Sequence, residues 1–430
     1  MKDVSIATLY EIYTQYPHIS TDTRKIAPGS IFFALKGENF DGNTFVDKAI
    51  EAGAAYAVTD DSKNAGKKNC IVVDDALTAL QLLANYHRRQ FTIPFIAITG
   101  SNGKTTTKEL VLAVLSQKYK TYATEGNLNN HIGVPLTLLK IGKDAEMAVI
   151  EMGANHQLEI ASYCVIAEPT HGIITNCGKA HIEGFGGEEG VRKGKGELFD
   201  YLRDHNGVIF RNTDLNYLAP MAANATRQIT YGSSDAEYTG KSLMNGIFLS
   251  VTFTDGNTPV TIDTKLVGAY NFPNVMTAIA VGLHFGVTSA QIKEAIESYA
   301  PDNSRSQWMA KGSNQVILDA YNANPTSMKA AILNFAAAAL DNKKLWLGGM
   351  KEMGAVESDE HRELVKLIGE HQWQEVILVG KEFAGIDHNF KWFEDSVAAA
   401  KYVADNKPQN SSILIKGSRG SRMERLLEVM

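Results

Sequence analysis

The chain has 430 residues, 44% hydrophobic and 21% charged, with 42 Lys and Arg against 48 Asp and Glu for a net charge of −6. This is an ordinary globular composition, which excludes a disordered, collagen-like or coiled-coil chain. Mild acidity argues against a general nucleic-acid or membrane-surface binder, and at about 150 residues per domain the length fits about three domains, each with its own core.

The first block, residues 1–93, begins MKDVSIATLYEIY, where Lys2 is followed at once by Asp3 and Glu11 breaks the apolar stretch. No secretory leader is expected there, and no later run approaches the roughly 20 apolar residues of a membrane span. Cys70, Cys164 and Cys177 are odd in number and form no CxxC pair. A reduced, cytoplasmic setting is expected, with all three cysteines as small buried hydrophobes. Short strands are predicted at Ile31–Ala34, Ala55–Thr59 and Ile71–Val73, and a helix over Ala76–Arg89.

The second block, 94–300, opens on the apolar strand Phe95–Thr99, followed by a glycine loop and a helix from Thr106. AVIEMG (148–153) and GIITN (172–176) read as further strands, each followed by a loop and a helix. Such alternation predicts a parallel sheet with crossover helices. Between Tyr231 and Leu266 the pattern turns β-rich, an antiparallel annex. In the third block, 301–430, QVILDAY, KKLWLGG, EVILVG and SSILIKG each precede a helical stretch, a second, Rossmann-like α/β unit. Ala336–Ala339 is expected inside a helix, as packing. The expected fold class is therefore α/β in three domains: a small mixed one, a central parallel-sheet one with a β annex, and the C-terminal one.

The strongest chemical signal is ITGSNGKTTTKE, Ile98 to Glu109. Gly100-Ser101-Asn102-Gly103-Lys104-Thr105-Thr106 lies between a strand and a helix, a shortened GxxGKT phosphate loop. Glycines let the backbone wrap closely round phosphate, and the helix N-terminus adds N–H donors. Lys104 would reach the β- and γ-phosphates, and the Thr105 hydroxyl would bind Mg²⁺. The alternative, a glycine-rich turn with an incidental lysine, does not account for strand, loop, Lys-Thr and helix occurring in this order. A guanine-reading NKxD motif is missing: Asn342-Lys343 is followed by Lys344-Leu345, and Asn406-Lys407 by Pro408-Gln409. A P-loop ATPase of regulatory or transport role stays open on these residues.

Glu151 ends a strand of the predicted parallel sheet, where ligand-binding residues gather, and a hard carboxylate suits Mg²⁺. His181 follows GIITN; by chemistry alone imidazole is not a preferred Mg²⁺ ligand, and a loop or core histidine is the plainer reading. Asp319, at the end of a C-terminal strand, could accept bonds from ribose hydroxyls. Asn274 reads as a helix cap, and Asn324-Pro325 as N-cap plus Pro at N1. Lys416-Gly-Ser-Arg419 could bind an anion or be a solvated basic loop.

ITGSNGKTTTKE resembles the nucleotide loop of the Mur ligases, the ATP-dependent amide-forming enzymes of peptidoglycan precursor synthesis, and the resemblance covers essentially the whole chain. DTRKIAPGSIFFALKGENFDGNTF (Asp22–Phe45) is similar to the UDP-sugar segment of the last two ligases of that series. GNLNNHIGVPLTLL (Gly126–Leu139), EMGANH (Glu151–His156) and LDAYNANPTSM (Leu318–Met328) are similar to the final one. The preceding ligase usually carries a DNPR motif, which this chain lacks.

The resemblance implies addition of D-alanyl-D-alanine to UDP-N-acetylmuramoyl-tripeptide through an acyl phosphate, with ATP and Mg²⁺, by a cytoplasmic monomer. It implies a catalytic set of Lys104, Glu151, His181, Lys195 and Arg305, with Thr105, Glu151, His181 and a carbamylated Lys195 on the metal. Asn271 would read adenine, although Tyr270 stands where the family usually has histidine. Arg305 and Asp319 would meet ATP from the C-terminal side. Thr23, Arg24, Lys36, Asp41, Gly42 and Asn43 would hold the UDP-sugar; taken singly each is a turn or surface residue. Asn127, Asn129, Asn130, Asn322 and Asn324 would contact substrate. Gly349 stands where an aspartate is common. Because the implied ATP contacts are split near Pro301, the C-terminal block is expected to rotate onto the central one when ligands bind.

Overall fold

The computed structural model describes residues 4–430; Lys2 and Asp3, part of the leader reading, lie outside the described residues. Three main sheets carry the architecture. The first has four parallel strands in the order Ile19–Ser20, Ile31–Phe33, Tyr56–Thr59 and Cys70–Val72. Against it packs the helix Ala76–Arg88, whose N-cap Asp75 accepts a bond from Thr78 N at 2.6 Å. Its buried residues Ala76, Ala79, Leu80, Leu83 and Ala84 recur at the three- and four-residue spacing of one helical face.

The central sheet has nine strands in the order Thr258–Val267, Phe248–Asp255, Tyr238–Asn245, Gln228–Gly232, Val208–Asn212, His171–Ile174, Phe95–Thr99, Met147–Glu151 and Thr121–Ala123. Phe95–Thr99, Met147–Glu151 and His171–Ile174 are buried along their whole length, as parallel strands covered on both faces must be. The β-rich segment does not sit apart. Tyr238–Asn245 pairs parallel with Gln228–Gly232, and the antiparallel strands that follow extend the same sheet. The helix after the glycine loop begins at Lys104 rather than Thr106, so Lys104 and Thr105 stand on its first turn.

The C-terminal sheet has six strands in the order Gln307–Lys311, Asn314–Asp319, Ser412–Lys416, Lys343–Gly348, Glu375–Val379 and Lys391–Phe393, the first antiparallel and the rest parallel. The two edge strands escape a reading based on apolar runs, because neither has a buried residue. The helix Pro325–Ala337 stops before the predicted alanine tract ends: Ala338 is its extended cap, and Ala337 and Ala339 are exposed rather than packed. Cys164 is buried, but Cys70 and Cys177 are partly accessible, and all three are free thiols. Among the described residues no helix is long and apolar enough to cross a membrane.

One side chain joins the first sheet's helix to the central sheet. The buried Arg88 guanidinium donates to Ala167 O at 2.8 Å, Phe91 O at 3.0 Å and Glu168 O at 2.8 Å, and stacks 3.7 Å over the Phe95 ring. Arg88→Met is expected to cost about 3 kcal/mol, since it strands buried carbonyls. Arg89→Met, which removes only an exposed pair with Glu168, should cost under about 1 kcal/mol. Equal shifts in thermal unfolding for the two variants would show that Arg88 is no clamp.

Candidate active site

The carboxyl ends of the central and C-terminal sheets face a cavity of about 540 Å³. The phosphate loop forms its floor. Gly100 and Gly103 have φ of +143° and +81°, and a Cβ there would lie 2.0 Å from Thr175 Oγ1 and 2.5 Å from Asn274 Oδ1, so both positions require glycine. The segment Thr175–Gly178 braces the loop: Ser101 N donates to Asn176 O at 2.8 Å, Ser101 Oγ to Gly178 O at 2.9 Å, and Thr175 Oγ1 to Asn102 O at 2.6 Å.

Lys104 Nζ folds back on the loop, donating to Gly100 O at 2.6 Å. Burial pushes its ammonium down to about 8, the Glu151 charge opposing this and Arg305 adding to it. Thr105 Oγ1 and Glu151 Oε2 are both buried without a hydrogen-bond partner. Glu151 Oε1 accepts from Asn129 Nδ2 at 2.7 Å. Orphaned buried oxygens are rare in folded proteins, and two hard ones beside a phosphate loop fit a divalent cation.

Lys195 projects from the helix Glu188–Asp204 and does not line the cavity. Its buried Nζ donates to the carbonyl of Ala154, which does line it, at 2.9 Å, and lies 4.7 Å from the Phe185 ring centroid. No carboxylate forms an ion pair with it among the described residues. Burial, then the Lys104 charge, push the Lys195 ammonium down to about 7. Lys193 is exposed, a helix-surface lysine as expected.

His181 lines the cavity with a left-handed backbone at φ +53°, and its Nδ1 is hydrogen-bonded to Glu352 of the C-terminal block, itself at φ +61°. Among the described residues no three His, Cys, Asp or Glu side chains form a metal cluster.

From the C-terminal side Arg305 reaches the cavity with its guanidinium 3.7 Å over the ring of Tyr321. Asp319 accepts from Lys416 Nζ at 2.6 Å and from Ser306 N at 3.2 Å. Lys416 is 2% exposed, so it is a buried pairing partner and not part of a solvated basic loop. A Cβ on Gly349 would meet Glu382 Oε2 at 2.5 Å; that carboxylate, 5% exposed, is paired with Lys351.

Asn271 lines the cavity, its amide donating to Val267 O at 2.9 Å. Asn274 is not a cap. It sits in the first turn of the helix Phe272–His284, donates to Asn271 Oδ1 at 2.8 Å and accepts from Thr107 Oγ1 at 3.1 Å, tying that helix to the phosphate-loop helix.

Of the remaining predicted residues, Ser101, Asn102, Gly103, Thr106, Asn127, Asn129, Asn130 and Asn322 line the cavity, whereas Gly100, Thr105 and Asn324 do not. Asn324 caps its helix as predicted and also donates to Asn102 Oδ1 at 2.7 Å. Thr23, Arg24, Lys36, Asp41, Gly42 and Asn43 are not brought to this cavity. They sit in local structure: Arg24 pairs with Asp22, Lys36 with Asp60 at 2.7 Å, and Asn43 donates to both Asp41 and Asp60. Tyr321, Asn155, Asn176 and Thr326 also line the wall but were not singled out; Tyr321 lies inside the LDAYNANP motif.

The central and C-terminal blocks already touch around the cavity. Besides Asn102–Asn324, Lys179 Nζ pairs with Glu360 at 2.7 Å and Tyr270 Oη bonds Ser306 Oγ at 2.8 Å. Cations, orphaned oxygens and an asparagine wall around one space suit the transfer of a phosphoryl group to a polar substrate arm.

Comparison with known proteins agrees along the chain. The Mur ligase middle domain matches residues 98–282, the Mur ligase, glutamate ligase domain 304–419, and the Mur ligase family, catalytic domain 15–88. The UDP-N-acetylmuramoyl-tripeptide–D-alanyl-D-alanine ligase of Bacillus subtilis (strain 168) is 35% identical over 425 residues, covering 95% of this chain and 92% of the relative. A crystal structure of MurF from Acinetobacter baumannii superposes with a TM-score of 0.87 at 30% identity, covering 96% of this chain and 92% of that one. MurF ligase from Thermotoga maritima in complex with ADP gives a TM-score of 0.87 at 25% identity, covering 100% and 98%.

Lys104→Met keeps the stem and removes the ammonium from the loop. It is expected to weaken ATP binding about 10- to 100-fold, the range for charge-assisted bonds. Titration calorimetry checks this, and unchanged affinity would remove Lys104 from the nucleotide site.

Proposed function

Since the chain belongs to the Mur ligase family, we propose that it joins D-alanyl-D-alanine to the terminal carboxylate of UDP-N-acetylmuramoyl-tripeptide, splitting ATP to ADP and phosphate. One observation carries the reading beside the full-length relatives: the phosphate loop and the asparagine loop Asn127–Asn130 open onto the same cavity.

A carboxylate must be activated before an amine can displace its oxygen. A tripeptide carboxylate oxygen attacks the γ-phosphorus of ATP, the bond to the β-phosphate oxygen breaks and ADP leaves. The dipeptide amine then adds to the acyl carbon, phosphate departs and the amine loses a proton. Lys104 and Arg305 stabilise the negative charge that builds on phosphoryl oxygens. Asn271 contacts the adenine and Asp319 the ribose. Asn127, Asn129, Asn130, Asn322 and Asn324 orient the peptide end and the incoming dipeptide.

Thr105 Oγ1 and Glu151 Oε2 would hold Mg²⁺, which when bound neutralises phosphate charge. The resemblance adds His181, whose ring lines the same cavity, and Lys195 as a carbamate. A buried lysine whose charge is disfavoured exposes a neutral amine. That amine adds to CO₂, forming an N–C bond and releasing one proton, and the product is an anionic oxygen donor.

Residues 1–93 take the UDP-sugar through Thr23, Arg24, Lys36, Asp41, Gly42 and Asn43, residues 94–300 hold ATP, and residues 301–430 supply the ribose and dipeptide contacts. Nucleotide substrates and three free thiols support a cytoplasmic setting. We infer a monomer, as the resemblance implies.

Incubation with ATP, Mg²⁺, UDP-N-acetylmuramoyl-tripeptide and D-alanyl-D-alanine should yield the pentapeptide product, followed by mass, with one phosphate released per product. Phosphate release independent of the dipeptide, without product, would favour a P-loop ATPase instead. Lys195→Ala should lose most turnover, and millimolar formate or acetate should restore part of it; near-normal turnover without rescue would eliminate the carbamate.

A further inference from the structure

Lys108 is a buried charge that the mechanism above does not use. It lies one helical turn beyond Lys104 on the phosphate-loop helix Lys104–Leu115, with its side chain 1% exposed. Its ammonium donates to the main-chain carbonyl of Thr124 at 2.6 Å and pairs with the partly exposed Glu109 at 2.6 Å. A buried ion pair adds little net stability over apolar packing of the same volume, so what Lys108 holds matters more than its own energy.

What it holds is a junction. Thr124 directly follows the strand Thr121–Ala123, and its N–H donates to Val149 O at 3.0 Å, continuing the ladder with the Glu151 strand. Its hydroxyl accepts the N–H of Glu151 at 2.9 Å. From Thr124 the chain runs straight into Glu125–Asn130, the loop that presents Asn127, Asn129 and Asn130 to the cavity. Asn129 closes the circuit by donating to Glu151 Oε1 at 2.7 Å.

We propose that Lys108 is a positioning residue that registers the phosphate-binding helix against both Glu151 and the root of the asparagine loop, and so aligns the acceptor carboxylate with the γ-phosphate. The inference rests on the ligase reading above. Lys104 and the loop amides that bind nucleotide do not pass through this junction. Losing Lys108 therefore leaves nucleotide affinity in place and misaligns the two reactants, and a displacement of about 1 Å costs on the order of 100-fold in rate.

The test uses Lys108→Met, Thr124→Val and the double variant. Each single variant should lower kcat about 30- to 100-fold while ADP affinity, by calorimetry, stays within about threefold. The double variant should be no slower than the worse single one, because both changes break the same chain of contacts. Thr124→Val strands no charge, so it carries the test if Lys108→Met does not fold. A kcat for Thr124→Val within threefold of the parent, additive losses, or a parallel loss of ADP affinity would overturn the proposal. Wild-type turnover reports separately on the ligase reading. Hydrogen exchange across Thr124–Asn130 needs no turnover: it should quicken in both single variants, and unchanged protection would again overturn the proposal.

Discussion

Burial of the Lys104 and Lys195 ammonium groups is the constraint that organises the site. Lys104 feels Arg305 arriving from the C-terminal block, and Lys195 feels Lys104, with burial acting on both lysines in the same direction. A low-dielectric space that concentrates positive charge is unfavourable until an anion enters it. The fold supplies a partial remedy in Glu151, and in Asp319, whose carboxylate is already bound to Lys416. Two ammonium groups whose charge burial disfavours make an anionic ligand a natural occupant beside the phosphate loop.

The architecture that creates this site is two parallel sheets with their carboxyl ends turned toward each other. In such sheets the loops after the strands are free to carry chemistry, because the helices cover the faces. Here the loops after Phe95–Thr99, Met147–Glu151 and His171–Ile174 come from one sheet, and those after Asn314–Asp319 and Ser412–Lys416 from the other. Neither sheet alone could surround a triphosphate. Asn102–Asn324, Lys179–Glu360 and Tyr270–Ser306 span the seam, and Asn102, Tyr270 and Ser306 also line the site.

Legibility in the sequence followed distance along the chain. The loop Gly100–Thr106 was readable because its chemistry is contiguous: the glycines, the lysine and the helix start occupy neighbouring positions. Asn324-Pro325 was readable as a cap for the same reason. Asn274 was misread, since its partner Thr107 lies 167 residues away and nothing local marks a carboxamide as a tie between helices. Lys416 looked like a basic loop because Asp319, 97 residues earlier, is what buries and neutralises it. The edge strand Gln307–Lys311 lacks an apolar run, and only pairing with Asn314–Asp319 makes it a strand. The six N-terminal candidates were grouped by resemblance, whereas Lys36 and Asn43 are held by the carboxylate of Asp60, which gave no sequence signal, and Arg24 by Asp22.

The close approach of Glu382 to Gly349 makes these two positions sterically dependent on each other. The carboxylate of Glu382 fills the volume that any side chain at 349 would claim. Introducing an aspartate at 349 first would drive two carboxylates together in a nearly dry space. Shortening residue 382 first opens room, though it leaves Lys351 without its partner. The two orders of substitution therefore pass through different intermediates, one strained by overlap and like charge, the other only loosened. An aspartate at 349 is therefore accommodated more easily once residue 382 has been shortened.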